Sequence, residues 1–372
     1  MRLRDGLRIV RRSETEVQVG TDPRWAVRIT GLTPDEVVAL LAADERGPGT
    51  TARRTSDPAR EPPSGVRRPP SARRLGAGGR PESRGDDAQT ADARPPRPGE
   101  LPTHTDRLRE ICDQLVAAQL AEATTAGRAM RGTATADAHV WDLQDGSGQA
   151  RVTARAQRTV GVLGLGPTGT TIAVTLAASG IGTVLVDDSR PVRSTDVGPC
   201  GYRWSDVGRE RETVVTRMLR DTAPRVVVDG SQVPDLLVIV EHGATDPVRA
   251  ADVLVTGVPH LSVVVREADV LVGPLVVDGG GPCLRCLDLH RADEDPAWPL
   301  VADALSRPAH DGDEVGVLAG SSASVAAAAV LAFLDRGEPL PATYEIGLPD
   351  AVPRRRDWAV HPSCGCTAQP AC

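Results

Sequence analysis

The chain has 372 residues, enough for about two domains, and 40% of them are hydrophobic although only 2% are aromatic. All 43 basic residues are arginine, which excludes chemistry that needs a lysine amine, such as Schiff-base formation or phosphate binding by a P-loop lysine. The formal net charge of −7 and the scarcity of aromatic side chains argue against nucleic acid as a partner.

The sequence also indicates a compartment. No run approaches the ~20 apolar residues of a membrane span, and charged residues lie in 1–10, where a signal peptide would be apolar. The seven cysteines are an odd number and form clusters, which is more typical of metal binding in a reducing compartment than of disulfides. We therefore expect a cytoplasmic protein with no membrane partner.

The first elements are three short predicted strands at 7–10, 16–19 and 25–29. A helix follows, because Thr33-Pro34-Asp35-Glu36 combines a capping residue, a proline and acids of a first turn. After a linker, Thr105 is positioned to cap a second helix, and 138–143 has the pattern of a strand. We predict that residues 1–46 and 103–146 form one small winged-helix-like α+β domain.

Residues 47–102 separate these two parts. They contain eleven prolines and almost no large aliphatic residues. Such a composition cannot bury enough apolar surface to offset the entropy of ordering the chain. We predict a disordered Pro/Arg-rich insertion, which either binds an acidic partner through its arginines or is simply a solvated linker.

From residue 151 onward, strands and helices alternate, which is typical of a parallel sheet covered by helices on both faces. The predicted strands are 159–163, 183–187, 225–228, 236–240 and 261–265. The predicted helices are 168–179, 246–254 and 321–334. We predict that residues 151–372 form an α/β domain with a Rossmann-like, mainly parallel sheet.

A glycine-rich loop, Gly164-Leu165-Gly166-Pro167-Thr168-Gly169, joins the first of these strands to its helix. Glycines in this context permit a tight turn, close approach of a phosphate and close packing of helix on sheet. The helix N-terminus then directs its free N–H groups at an anion. Asp187, at the end of the next strand, is positioned to bind a ribose. Glycines that only pack a turn, with no ligand, are the alternative.

The segment that continues from this helix, Ala178-Ser179-Gly180-Ile181-Gly182-Thr183-Val184-Leu185-Val186-Asp187-Asp188, resembles the ThiF/MoeB/HesA family, which has the ubiquitin-activating-enzyme fold. An NAD-dependent oxidoreductase is the competing interpretation. The resemblance covers about 158–366 and implies a domain, often dimeric, that binds ATP with Mg²⁺ and adenylates a carboxyl terminus. It assigns Gly164, Gly166, Gly169 and Asp187 to the nucleotide.

Two functional positions of that family differ here. Arg211 lies where the family has a phosphate-binding lysine, and arginine differs from lysine in shape and reach. The metal-binding aspartate should follow strand 236–240, where this chain has Glu241-His242-Gly243-Ala244. Only Glu241 could replace it, and out of register. We therefore assign no catalytic residue. We expect that the site still binds a nucleotide, with Arg211 at its phosphates, but does not turn it over.

Two cysteine pairs, Cys283-Leu284-Arg285-Cys286 and Cys364-Gly365-Cys366, supply the four thiolates of a structural zinc site. The resemblance implies the same, although the family has two CxxC pairs rather than a CxxC and a CxC. A redox dithiol at Cys283 and Cys286 is the main alternative. Cys200 is an incidental residue or, less favoured, an acceptor thiol for a sulfur carrier. We expect His260 and His290 to be structural histidines.

The run 281–299, with its CxxC motif, and the segment 18–24 resemble the ThiF-like partner proteins of YcaO cyclodehydratases. In those proteins the winged-helix-like module binds the leader of a precursor peptide, and the ThiF-like part docks a partner that spends ATP. The resemblance implies a precursor peptide and a YcaO-like cyclodehydratase, or another ATP-dependent modifying enzyme, as partners. An active adenylyltransferase is the alternative. DNA binding is disfavoured because the first helix is acidic.

Overall fold

In the computed structural model, the described residues are 2–4, 7–45, 101, 105–118, 120–122, 132–199, 201–306 and 312–366. The predicted insertion 47–102, apart from Leu101, and also Cys200 lie outside them. The chain divides into two compact units, Met1–Gly127 and Arg128–Cys372.

The first unit is a small α+β structure. A three-stranded antiparallel sheet in the order β2-β3-β4 confirms the three predicted strands to within two residues, and β1 pairs with β5 in a second, two-stranded sheet. Buried apolar side chains such as Val17, Val19 and Leu40 fill its core. Its elements are β1 (Arg2–Leu3), β2 (Ile9–Arg11), β3 (Glu16–Val19), β4 (Val27–Thr30), α1 (Pro34–Glu45), α2 (Asp106–Ala117) and β5 (Ala121–Glu122).

The second unit is the α/β domain. Its elements are α3 (Thr135–Asp145), α4 (Gly148–Arg155), β6 (Thr159–Leu163), α5 (Pro167–Ala178), β7 (Thr183–Asp187), α6 (Arg211–Thr222), β8 (Leu236–His242), α7 (Pro247–Thr256), β9 (His260–Val265), β10 (Asp269–Val276), α8 (Leu284–Glu294), α9 (Trp298–Ser306), α10 (Gly316–Arg336), β11 (Ala342–Gly347) and β12 (Arg354–Asp357).

One seven-stranded sheet organises this unit, in the order β12-β11-β10-β9-β8-β6-β7. The four strands β7, β6, β8 and β9 are parallel, and β10 to β12 extend the sheet antiparallel. Small aliphatic side chains make up the core, where α5 and α10 pack with the strands. The architecture confirms the Rossmann-like α/β prediction.

Two predicted strands are wrong. Residues 138–143 belong to helix α3, which ends at Gly146 in a left-handed conformation with a φ of 75°. An alanine-rich start and a glycine C-cap favour the helix over the strand pattern. Residues 225–228 form only a bridge between Val227 and Thr183, and Pro224 and Gly230, two residue types that are disfavoured within strands, flank the segment.

Helix α10 is the one described helix that is long and apolar enough to cross a membrane. The core helix of a globular domain meets the same criteria. Residues such as Leu318, Ala326 and Val330 are buried in the core of the α/β domain. One face of this helix is therefore part of the core of the α/β domain.

Candidate functional site

The glycine loop lies between β6 and α5, as predicted. Gly164 has a φ of 85°, and a Cβ there would lie 2.4 Å from the Val240 carbonyl oxygen on β8. A Cβ on Gly169 would lie 1.9 Å from the Gly164 carbonyl oxygen. These two glycines therefore permit the close approach of loop, helix and neighbouring strand.

The second glycine of the motif, Gly166, faces a side chain. A Cβ on Gly166 would lie 2.0 Å from Oε1 of Glu314. The other carboxylate oxygen, Oε2, accepts a 2.8 Å hydrogen bond from the Thr168 N–H in the first turn of α5. The Glu314 side chain is only 2% exposed. The anion position that the sequence predicts at this helix N-terminus is therefore occupied by a carboxylate of the protein itself.

His242, the last residue of β8, completes this contact. Its Nε2 atom lies 3.1 Å from Oε1 of Glu314. Alternation along the strand directs Glu241 to the opposite face, where it accepts hydrogen bonds from the Asp246 N–H and from Arg249. His242 and not Glu241 therefore contacts Glu314 beside the glycine loop, and neither His242 nor Glu314 had been singled out from the sequence.

The two aspartates at the end of β7 differ in environment. The Asp187 side chain is exposed, and its backbone carbonyl accepts a hydrogen bond from the Gly164 N–H. Asp188 is buried and accepts hydrogen bonds from the Leu165 N–H, Arg190 and Arg211. Burial acts to raise the pKa of Asp188, but these partners outweigh it and hold the pKa at about 2. The charged Asp188 side chain thus supports the glycine loop through a hydrogen bond, and the Asp187 side chain is the one accessible to a ligand.

Arg211 begins α6 and is almost completely buried. Its two terminal nitrogens donate to Asp188 at 3.1 Å and to Asp196 at 2.6 Å. The guanidinium therefore joins three segments of the chain around the loop. Any phosphate bound by Arg211 would have to compete with two buried carboxylates.

The four clustered cysteines converge, although the CxC pair is shorter than a CxxC pair. Their sulfur atoms lie within 4.8 Å of one another, with separations of 3.6 Å between Cys283 and Cys364 and 3.5 Å between Cys286 and Cys366. Bonds of about 2.3 Å from four sulfurs to a tetrahedral metal imply separations of about 3.8 Å. The cluster could therefore hold a metal ion.

Histidines support the loop that carries the second pair. His361 Nδ1 accepts a hydrogen bond from the Ser363 N–H, and its Nε2 lies 2.9 Å from Asp293. His290 Nε2 lies 3.0 Å from the Ala359 carbonyl oxygen. These bonds tie the segment before Cys364 to helix α8.

An apolar cavity of about 620 Å³ adjoins the cysteine cluster. Helices α7, α8 and α9 form its walls, with Leu254, Leu284 and Trp298 among the lining side chains. Cys364 and Cys366 contribute to its surface. The cavity has room for an apolar side chain and lies beside the site that could hold a metal.

Comparison with known proteins extends this description. No curated protein matches the chain. Among solved structures, Escherichia coli MccB with MccA-N7isoASN has a TM-score of 0.60 and 14% identity over 99% of both chains. E. coli MccB with ATP has a TM-score of 0.59 and 14% identity over 98% of both chains. PaaA has a TM-score of 0.58 and 14% identity over 95% of this chain and 98% of its own.

At these identities the structural matches show a shared fold, which extends over nearly the whole chain. The model of the ThiF family matches residues 142–346. That span is more than half of the chain and includes the glycine loop, Asp187, Arg211 and the first cysteine pair. The chain belongs to the ThiF family.

Proposed function

We propose that this protein binds a precursor peptide and presents it to an ATP-dependent modifying enzyme, of the YcaO cyclodehydratase type, while its own adenylation chemistry is degenerate. The observation that carries the proposal is that Arg211 is buried and already paired with carboxylates of the protein. Two buried aspartates bind its guanidinium, and β8 ends in Glu241 and His242 without an aspartate. A nucleotide here would lack the cation and the metal ligand that adenylation needs.

An active adenylyltransferase, acting on the carboxyl terminus of a peptide or a sulfur carrier, is the second candidate. The structures of E. coli MccB favour it, because they include complexes with ATP and with MccA. One such structure describes MccB as a microcin C7 biosynthetic enzyme in complex with N-formylated MccA. Gly164, Gly166, Gly169, Asp187 and Arg211 would then hold the nucleotide.

For the cysteine cluster the proposed ion is structural zinc, bound by Cys283, Cys286, Cys364 and Cys366. Four sulfur donors at tetrahedral separations leave no open coordination position. Burial raises the pKa of Cys366 to about 11, so binding of a cation would have to stabilise its thiolate. The metal would join the start of α8 to the C-terminal loop.

The peptide would add as a further strand to the small unit, at the outer edge of β4. The Gly20 N–H donates to the backbone carbonyl of Arg8, and the Arg12 N–H donates to the backbone carbonyl of Glu16. Glu16 and Gln18 of β3 therefore direct their backbone groups toward β2. The alternate residues of β3 face β4, and in that register the N–H of Arg28 points away from β3. Strand addition uses such outward groups.

The proposal extends to the predicted domain of 1–46 and 103–146 as the peptide-binding module, to a cytoplasmic location and to a homodimer. It includes no nucleic-acid or membrane partner.

The test is peptide binding measured beside ATP turnover. Synthetic peptides from short reading frames next to the gene would be labelled and titrated by fluorescence anisotropy, and pyrophosphate release from Mg-ATP would be followed in parallel. We expect binding without pyrophosphate release. Peptide-dependent pyrophosphate release would instead establish the adenylyltransferase.

A matched pair of variants locates the peptide. Arg28→Pro removes an outward backbone donor and should weaken binding at least tenfold, whereas Arg28→Ala keeps the donor and should bind as the unmodified protein does. Equal loss in both variants would mean that the arginine side chain, rather than the strand edge, binds the peptide.

A further inference from the structure

The carboxylate of Glu314 lies where the glycine loop is built to receive an anion. It takes the Thr168 N–H as a donor and lies against Gly166, the residue whose missing side chain leaves room for it. Glutamate is costly to bury, and the Glu314 side chain is only 2% exposed because a helix N-terminus compensates its charge and His242 Nε2 lies within hydrogen-bond distance. The N-terminus of α5 is thus an anion-binding position that the Glu314 carboxylate fills.

The segment that carries Glu314 is itself held in place. Arg193 donates a 3.1 Å hydrogen bond to the Gly312 carbonyl and lies 3.5 Å from the Asp313 carboxylate. Gly312 also lies against the His242 ring, and α10 begins at Gly316. The side chains that hold this segment are therefore Arg193, which anchors it, and His242, which contacts Glu314 directly.

A phosphate and this carboxylate cannot share the position. Both are anions, both need the Thr168 N–H, and Oε1 already fills the space above Gly166. A phosphate would have to displace Glu314, which would lose its helix donor and its contact with His242. A nucleoside, which carries no phosphate, pays no such cost.

We infer that Glu314 determines ligand specificity at the glycine loop, because its carboxylate excludes the phosphates of ATP from the N-terminus of α5 and leaves a ligand without phosphate unaffected. The inference rests on the proposed function in taking the glycine loop as a nucleotide site. It adds a residue that selects against a phosphate at the helix N-terminus.

The experiment compares Glu314→Ala with the unmodified protein by calorimetric titration of adenosine, ATP and pyrophosphate. Loss of the carboxylate should tighten ATP binding at least tenfold, which corresponds to about 1.4 kcal/mol, and change adenosine binding less than about twofold. Glu338→Ala is the matched control, because it removes the same type of charged side chain from an exposed position just beyond the other end of α10. It should leave all three affinities unchanged.

Glu314→Gln keeps the volume of the side chain and guards against a folding defect in the alanine variant. It should tighten ATP binding to an intermediate degree, since an uncharged amide competes less well for the Thr168 N–H. Unchanged or weaker ATP binding in both variants would overturn the inference.

The pyrophosphate titration separates this inference from the proposed function. If adenosine binds to no variant, the nucleotide site is wrong, yet pyrophosphate binding to Glu314→Ala and not to the unmodified protein would still support the role of Glu314. Pyrophosphate binding to neither protein would refute it.

Discussion

The buried Glu241 gives the second unit a stability that falls as pH rises. Its side chain is 7% exposed and accepts hydrogen bonds from the Asp246 N–H at 3.2 Å and from Arg249 at 3.0 Å. Burial raises the pKa of Glu241 to about 7, despite these two partners. The folded protein therefore holds a proton at pH values where the unfolded chain has released it.

The sign and the size of the effect follow from linkage. Between pH 4.5 and pH 7 the native state binds more protons than the unfolded state, so the free energy of unfolding decreases with rising pH. At 1.36 kcal/mol per pKa unit, the difference between 4.5 and about 7 corresponds to about 3 kcal/mol. This decrease in the free energy of unfolding is complete above pH 7 and has not begun below pH 4.5.

Glu241→Gln removes the titration and keeps an acceptor for the Asp246 N–H. It also removes the ion pair with Arg249, which is 46% exposed and contributes about 0–1 kcal/mol. We expect the variant to be more stable than the unmodified protein by about 2 kcal/mol at pH 8.5, and to lose this advantage at pH 5.

Urea unfolding followed by tryptophan fluorescence at several pH values between 5 and 8.5 measures this difference. Glu212→Gln removes the same charge from an exposed position on α6 and controls for net charge. Parallel pH profiles for the unmodified protein and Glu241→Gln would refute the argument, because they would show that Glu241 titrates alike in the folded and unfolded states.

Three further predictions concern the framework of the α/β domain. Elemental analysis should show that Cys286→Ser has lost most of the bound metal and that Cys112→Ala retains it. Equal metal content in the two variants would show that the cysteine cluster is not the metal site. Asp335→Ala should lower the free energy of unfolding by about 3–5 kcal/mol, because it leaves Arg155 buried without its bidentate partner; a small change in urea denaturation would contradict this. Gly169→Ala should lower the melting temperature by several degrees, because its Cβ would lie 1.9 Å from the Gly164 carbonyl oxygen; an unchanged melt would show that the loop adjusts freely.

The features that could be predicted from the sequence are those encoded within short segments. The unit β6–loop–α5–β7 matches the expectation to within one residue, because its strands, glycines and helix are contiguous. The start of α7 also matches to within one residue, because its N-cap Asp246 accepts hydrogen bonds from two backbone N–H groups of the first turn, although the helix ends two residues later than predicted. Local signals of this kind do not depend on the rest of the fold.

What the sequence did not indicate depends on contacts between distant residues. Strand β10 contains Pro274, which argues against a strand interior, and its place in the sheet depends on pairing with β9 and β11. The Glu314 carboxylate reaches Thr168 across 146 residues. No spacing rule connects such positions, so the two residues that most affect the cleft were found only in the structure.

The charged side chains around the glycine loop are already paired within the protein, so a charged ligand gains little binding energy there. Asp188 and Asp196 form ion pairs with Arg211, and Glu314 accepts a hydrogen bond from the first turn of α5 and contacts His242. An anion that enters must exchange these bonds for new ones of similar strength, so its net gain is small. A peptide that adds to β4 would instead exchange bonds to water for bonds in a strand ladder and would bury side chains as well. We therefore expect peptide affinity to exceed nucleotide affinity in the unmodified protein, and the order to approach reversal only when Glu314 is removed.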